Sequence, residues 1–323
     1  MARKSRGKNA LKKIKDRFAA AVIGALVLMS LIITVNEKHL NIDAIPSWSD
    51  IFSRSWLSEN KKIITDDGLI VHFIDVDQGD CQLIQTRKYS VLIDTGEEKY
   101  AERVINYLKA QDIDTLDYVI LTHPHSDHIG GFGKIADEFR TENLIMPRIN
   151  DEVVPTTSSF ERVLDRIEKY SIEFSYSQEE QIIVLGETEI EFLAPVKDYD
   201  DLNNYSIVFK LTHADNSFLF TGDIENDAEN DIYDTAADLR ADVIKIAHHG
   251  SNGSSQKKIL NAVGGKYAVI GVGSDNSYGH PGEKTLSNLR DLNYQTYRTD
   301  AHGSIVFISN GIDLKIMKER GAD

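Results

Sequence analysis

The run Leu121-Thr-His-Pro-His-Ser-Asp-His-Ile-Gly-Gly131 sets the tightest limit on what this chain can become. It places His123, His125, Asp127 and His128 within six residues, directly after the apolar, strand-like Tyr118-Val-Ile-Leu121. Residues two apart on an extended segment share a face, so His123 and His125 can reach one ion together. The chain then turns at Ser126, and Asp127 and His128 open a helix aimed back at the same spot. Crowding four such side chains is costly unless a cation neutralises them. Imidazole with carboxylate suits Zn²⁺, or Mn²⁺ and Fe where oxygen is richer. The run is read as a metal site at the end of a strand.

Other chemistry-bearing residues fall at similar places. Asp94, His123, Asp223 and His248 each follow an apolar strand run: Val91-Leu-Ile, Tyr118-Val-Ile-Leu, Phe218-Leu-Phe and Val243-Ile-Lys-Ile. Polar residues at strand ends gather along one edge of α/β sheets, where ligands bind. The surrounding pattern predicts a meander over 69–76, 81–86 and 89–95, a helix over 98–110 and a strand over 116–122. Helices are expected over 127–139 and 160–170, and strands over 182–193, 205–211 and 217–221. Helices over 225–239, 255–263 and 283–292 then alternate with strands over 242–247, 267–272 and 295–298, and strands over 304–309 and 311–317 close the chain. This gives two strand–helix halves of an α/β (α+β) fold. The single cysteine, Cys81, excludes an intrachain disulfide and a disulfide-stapled scaffold.

Charge divides the chain. Residues 1–17 hold eight Lys/Arg and one acid, whereas the remainder holds 28 basic against 50 acidic side chains, a net −22. Residues 18–35 carry no charge over 18 positions, enough to cross a bilayer. A basic flank stays cytoplasmic, and no small-x-small cleavage pattern follows. The expected organisation is a cytoplasmic tail over 1–17, an uncleaved transmembrane anchor over 18–35 and a stalk over 36–66 containing Trp48 and Trp56. A large folded domain over 67–318, placed outside the cell membrane, and a tail over 319–323 complete it. A charge of −22 argues against a long nucleic-acid groove, which normally presents a basic face.

The His123–His128 segment resembles the HxHxDH signature of the metallo-β-lactamase superfamily. His72-Phe-Ile-Asp-Val-Asp-Gln-Gly-Asp80, Val91-Leu-Ile-Asp-Thr-Gly96, Leu219-Phe-Thr-Gly-Asp223, Ile246-Ala-His-His-Gly-Ser251, Tyr278-Gly-His-Pro281 and Tyr297-Arg-Thr-Asp300 occur in order. Together they are similar to the soluble hydrolase domain of the ComEC/Rec2 DNA-internalisation family and its stand-alone relatives. The resemblance implies a four-layer αββα sandwich with two divalent metal ions, Zn or Mn, activating a hydroxide. It puts His123 and His125 on the first metal and Asp127 and His128 on the second, bridged by Asp223. His248 or His249 completes the second, and Asp94 supports the loop from behind.

Asp127 and His280 are the candidate catalytic groups, His280 as general acid or substrate clamp, while Asp80 steadies its turn. The superfamily's further histidine on the first metal has no counterpart in Asn203-Asn-Tyr-Ser-Ile207, where Asn204 and Ser206 form the pair typical of the ComEC-like group. Asp77 stands where relatives have glycine, adding an acid near the expected cleft, and Gly282 where they often have histidine. His72 reads as structural, His39, His213 and His302 as surface residues, and Arg298 as either a phosphate ligand or the partner of Asp300. The expected activity is phosphodiester hydrolysis, on DNA or a small diester. A surface ester, lactam or choline phosphodiester, or a metal-bearing module without turnover, are the alternatives.

Overall fold

The computed structural model describes residues 28–32, 34–35 and 68–320. In the unit formed by residues 1–60, Leu28–Ile32 and Thr34–Val35 are helical, and Thr34 Oγ1 donates to Ser30 O at 2.9 Å. No helix among the described residues is long and apolar enough to cross a membrane. The basic tail, most of the anchor, the stalk with Trp48 and Trp56, His39 and residues 321–323 lie outside the described residues.

From residue 68 onward two twisted sheets pack face to face. The chain begins with β1 (Leu69–Phe73), β2 (Gln82–Gln85) and β3 (Ser90–Ile93), an antiparallel meander. Helix α1 (Ala101–Ala110) crosses to β4 (Thr115–Ile120), which runs parallel to β3. Short α2 (Ser126–Ile129) and α3 (Phe132–Glu138) lead to β5 (Arg140–Met146), and α4 (Ser158–Tyr170) to β6 (Glu173–Tyr176), both parallel additions.

The second sheet repeats this plan. Antiparallel β7 (Ile182–Leu185), β8 (Thr188–Ala194), β9 (Val208–His213) and β10 (Asn216–Phe220) precede parallel β11 (Val243–Lys245), β12 (Tyr267–Ile270) and β13 (Gln295–Arg298). Helices α5 (Asn226–Asp234), α6 (Lys257–Val263) and α7 (Glu283–Asp291) connect these parallel strands. After the one-turn α8 (Thr299–His302), β14 (Ile305–Ser309) and β15 (Leu314–Lys318) return to the first sheet, beside β1.

Period-two alternation explains the layers. Leu69, Val71 and Phe73 of β1 enter the inter-sheet core with Phe209, Phe218 and Phe220 of the second sheet. The Phe209 and Phe220 rings stack at 4.6 Å. His72, on the opposite face of β1, is buried and hydrogen-bonded at 2.9 Å to Tyr107 of α1, which places that helix on the outer face. On the far side Leu219, Ile244, Ala268 and Ile270 pack with Ala228 and Ile232 of α5, Leu260 of α6 and Leu289 of α7. The result is a two-sheet α/β sandwich with helices on both outer faces.

Several expected boundaries fail for local reasons. The helix expected over 127–139 is divided into α2 and α3 at Gly130-Gly131, two positions that only glycine fits, because a Cβ there would strike the backbone oxygen of Ser126 or of Thr95. The strand expected over 182–193 is a hairpin turned at Gly186 (φ +72°). Tyr205 belongs to a buried 3₁₀ turn ahead of β9. Strands β5 and β6 were not anticipated, since their alternation is interrupted by Glu142 and Asn143 and by polar Glu173 and Ser175. His213 is buried and bonded to Ser309 Oγ at 2.8 Å, correcting its reading as a surface residue, because the turn ahead of β15 folds over it.

Candidate metal centre

The candidate residues stand where the topology makes equivalent positions in the two halves. Asp94 follows β3 and the His123–His128 loop follows the parallel β4; Asp223 follows β10, and His248 and His249 follow the parallel β11. The loop after β1 closes on the same place. Asp80 N donates to Asp127 O at 3.1 Å, an approach possible because Gly79 (φ +139°) lacks the Cβ that would sit 2.5 Å from that oxygen.

Donor atoms converge there. Asp127, His128, Asp223 and His249 each offer one atom within 4.8 Å of the others. Asp223 Oδ2 lies 3.2 Å from His128 Nε2 and 3.3 Å from His249 Nε2, and Asp127 Oδ2 lies 3.2 Å from His249 Nε2. His123 Nε2 and His125 Nδ1 are 3.0 Å apart, and the His123 and His128 rings are 4.1 Å apart. Two donors held ~2.05 Å from a tetrahedral ion are about 3.3 Å from each other. These spacings match that edge, and His128 Nε2, fully buried, has no hydrogen-bond partner. The donor set therefore fits divalent metal.

The tautomers are arranged for the same purpose. His128 Nδ1 donates to Asp94 Oδ2 at 2.7 Å and His249 Nδ1 to Gly271 O at 2.8 Å, so Nε2 is the ring atom that each turns to the cluster. Asp94 also accepts from Thr122 N at 2.8 Å and Thr122 Oγ1 at 2.7 Å, which fixes the start of the histidine loop. Ser206 Oγ accepts from Asp223 N at 2.9 Å, and Asn204 Oδ1 accepts from Glu225 N at 2.9 Å. Asn204 thus acts on the rim residue Glu225, and Ser206 on Asp223 itself.

His248 and His249 both lie in the left-handed region, at φ 50° and 53°. That conformation costs on the order of 1–2 kcal/mol per non-glycine residue. It turns the successive rings apart. His249 enters the cluster, while His248 Nδ1 turns to Glu225 Oε1 at 3.0 Å and its Nε2 stays 4.0 Å from Asp223 Oδ2. His280 stands at the rim, its ring 5.5 Å from that of His248 and 6.4 Å from that of His249, with the exposed Tyr278 stacked on it at 5.8 Å.

Electrostatics follow burial and charge. Burial opposes protonation of His249, but the Asp223 charge and bonds to Asp127 and Asp223 push it up to about 10 in the metal-free protein. His128 is likewise held well above its usual value, burial being outweighed by Asp223 and Asp94. Burial, then the His128 charge, pushes His123 well below its usual value. His280 is lowered to about 4 by burial and by His248 and His249, so near pH 7 it is neutral.

Some residues are placed otherwise than expected. The Asp80 carboxylate does not steady its turn; it is buried against Lys245 Nζ, whose ammonium is the nearest available cation. Asp77 does not stand free in a cleft: its carboxylate accepts from Tyr100 OH and packs on Gly273. Arg298 is engaged by Asp300, Nε to Oδ1 at 3.0 Å, and His302 accepts from Arg298 N at 3.0 Å. Thr122, Glu225 and Lys245 were missed. Lys245 had a visible signal, a lone charge within the otherwise apolar Val243-Ile-Lys-Ile246.

The family model described as "Metallo-beta-lactamase superfamily" matches residues 74–273. ComE operon protein 3 of Bacillus subtilis is 28% identical over 256 residues, 73% of this chain and 32% of that protein. Competence protein ComA of Neisseria gonorrhoeae is 28% identical over 267 residues, 80% and 35%. Recombination protein 2 of Haemophilus influenzae is 25% identical over 240 residues, 73% and 28%. The chain thus spans about a third of the length of these curated relatives. The fold is shared with the metallo-beta-lactamase fold protein YhfI of Bacillus subtilis, with a TM-score of 0.52 at 16% identity, covering 75% of this chain and 100% of that one.

Proposed function

Because the chain belongs to the metallo-β-lactamase superfamily, whose members are metal-dependent hydrolases, we propose that it hydrolyses phosphodiester bonds. The observation that carries this is the side-by-side arrangement of two donor groups, His123–His125 and Asp127–His128–Asp223–His249, their nearest rings 4.1 Å apart. Two divalent ions, Zn or Mn, held there would polarise a phosphoryl oxygen and clamp both attacking and leaving oxygens. Around them the chain's own residues orient and exclude. Asp94 and Gly271 fix the imidazoles, Ser206 fixes Asp223, and the buried His123 ring keeps water from the floor. His280, neutral near pH 7, presents an N–H to the substrate rather than acting as a charged acid.

Likeness to competence and recombination proteins supports a substrate met at the membrane. The eight basic residues followed by 18 uncharged ones support anchoring with the acidic domain outside. The net −22 beyond residue 17 favours small diesters over long DNA. Turnover of bis-p-nitrophenyl phosphate and of plasmid DNA, each with Zn²⁺ and with Mn²⁺, tests the chemistry. No hydrolysis of either under any loading would retire the phosphodiester reading. Protease added to intact cells should remove the domain and spare an N-terminal stub; complete protection would reverse the topology.

A further inference from the structure

Lys245 is the last residue of β11, and alternation turns it into the sandwich: Val243 lies in the inter-sheet core and Ile244 on the helix side. Only 2% of the residue is exposed. Its Nζ donates to Gly222 O at 2.7 Å, lies 3.4 Å from Asp223 Oδ1, and contacts the fully buried Asp80. A lysine is almost never so enclosed unless paired, and this one is shared between the two halves of the fold. Asp80 comes from the loop after β1, whereas Asp223 and Gly222 come from the loop after β10.

The two oxygens of Asp223 consequently face different ways. Oδ1 meets the lysine, and Oδ2 faces His128 Nε2 at 3.2 Å and His249 Nε2 at 3.3 Å. A carboxylate held on one oxygen cannot rotate to chelate an ion through both. The Asp80–Lys245 pair adds no net charge to the cluster, wherever the proton between them sits. What it contributes there is direction.

We propose that Lys245 is a positioning residue of the metal centre: it occupies Asp223 Oδ1, so that only Oδ2 is offered to the donor cluster, and Asp80 holds the lysine in that place. The proposal rests on the cluster being a metal site but is independent of the substrate. It assigns a task to the buried ammonium beside the donors, which the hydrolytic reading leaves without one.

The test compares the full chain with Lys245→Met and with the Asp80→Asn/Lys245→Met double variant. The double variant removes the ion pair as a unit, so the net charge around the donors matches the unaltered protein while Asp223 Oδ1 loses its partner. Mn²⁺ and Zn²⁺ are titrated by calorimetry into chelator-stripped protein, with elemental analysis of the loaded forms. Both variants should bind the ions about 10–100-fold more weakly, as when an outer partner of a ligand is lost. If Lys245 acted by charge alone, Lys245→Met would bind more tightly and the double variant would return to the original affinity, which overturns the proposal. Unchanged affinity in a folded variant overturns it too, and so does failure of both variants to fold, which would make the pair structural. An unaltered chain that takes up neither ion would defeat the metal reading itself, a failure distinct from variants that bind as well as the unaltered chain.

Discussion

Loading the metal-free protein should release protons, and the structure sets the scale. His249 is held up to about 10 and His128 well above its usual value by the carboxylates around them. His249 therefore carries both ring protons at pH 7 when no ion is present, and His128 is drawn in the same direction. A metal ligand must be neutral imidazole, so filling the four-residue group at pH 7 expels at least the His249 proton. Removing the His249 proton three units below its pKa costs a factor of ~10³, about 4 kcal/mol. The apparent affinity should rise steeply from pH 6 to 9 and level off only as pH passes about 10.

Stability gives the opposite sign for the metal-free form. A group whose folded pKa is raised contributes stability fully present below its unfolded value of ~6.5 and lost as pH rises through the folded value. The stripped protein should thus lose Tm between about pH 6.5 and about 10, while the loaded protein does not. Calorimetry in two buffers of different ionisation heat counts the protons, and thermal melts with and without chelator follow the stability. Release of less than about half a proton at pH 7, with affinity independent of pH, would refute the reasoning.

His125→Ala and Asp223→Ala should each abolish turnover and lower metal content by elemental analysis; full stoichiometry in both would defeat a shared two-ion site. Phe209, stacked on Phe220 at 4.6 Å in the inter-sheet core, should cost about 3–5 kcal/mol when truncated to alanine, read by urea denaturation. A loss under about 1 kcal/mol would mean the two sheets are not packed through it. For DNA, kcat/KM should hold or improve as salt rises over ~50–200 mM, because the domain carries excess negative charge; a steep fall would reveal a basic groove and favour a nuclease.

The sequence disclosed the candidate metal centre more fully than the frame around it, and the cause is the range of the interactions. His123, His125, Asp127 and His128 declare themselves because their spacing and the preceding strand are local, and both survive in the fold. What binds them into one site is set across the chain and has no local signature. Asp94 orients His128 from 34 residues away, and Lys245 reaches Asp80 across the sandwich. The choice between His248 and His249 depended on two left-handed backbone angles that no composition reveals. Strands β5 and β6 were illegible for a related reason: exposed Glu142 and half-buried Asn143 interrupt the alternation of β5, and β6 lies at the edge of its sheet, where polar residues such as Glu173 are tolerated. Lys245 shows the converse case. Its charge inside an apolar strand is a local conflict, and the fold resolves it only by bringing two distant carboxylates to the amine. Such conflicts are expected where function is built, which is why the one residue that fits its strand worst is the one most worth replacing.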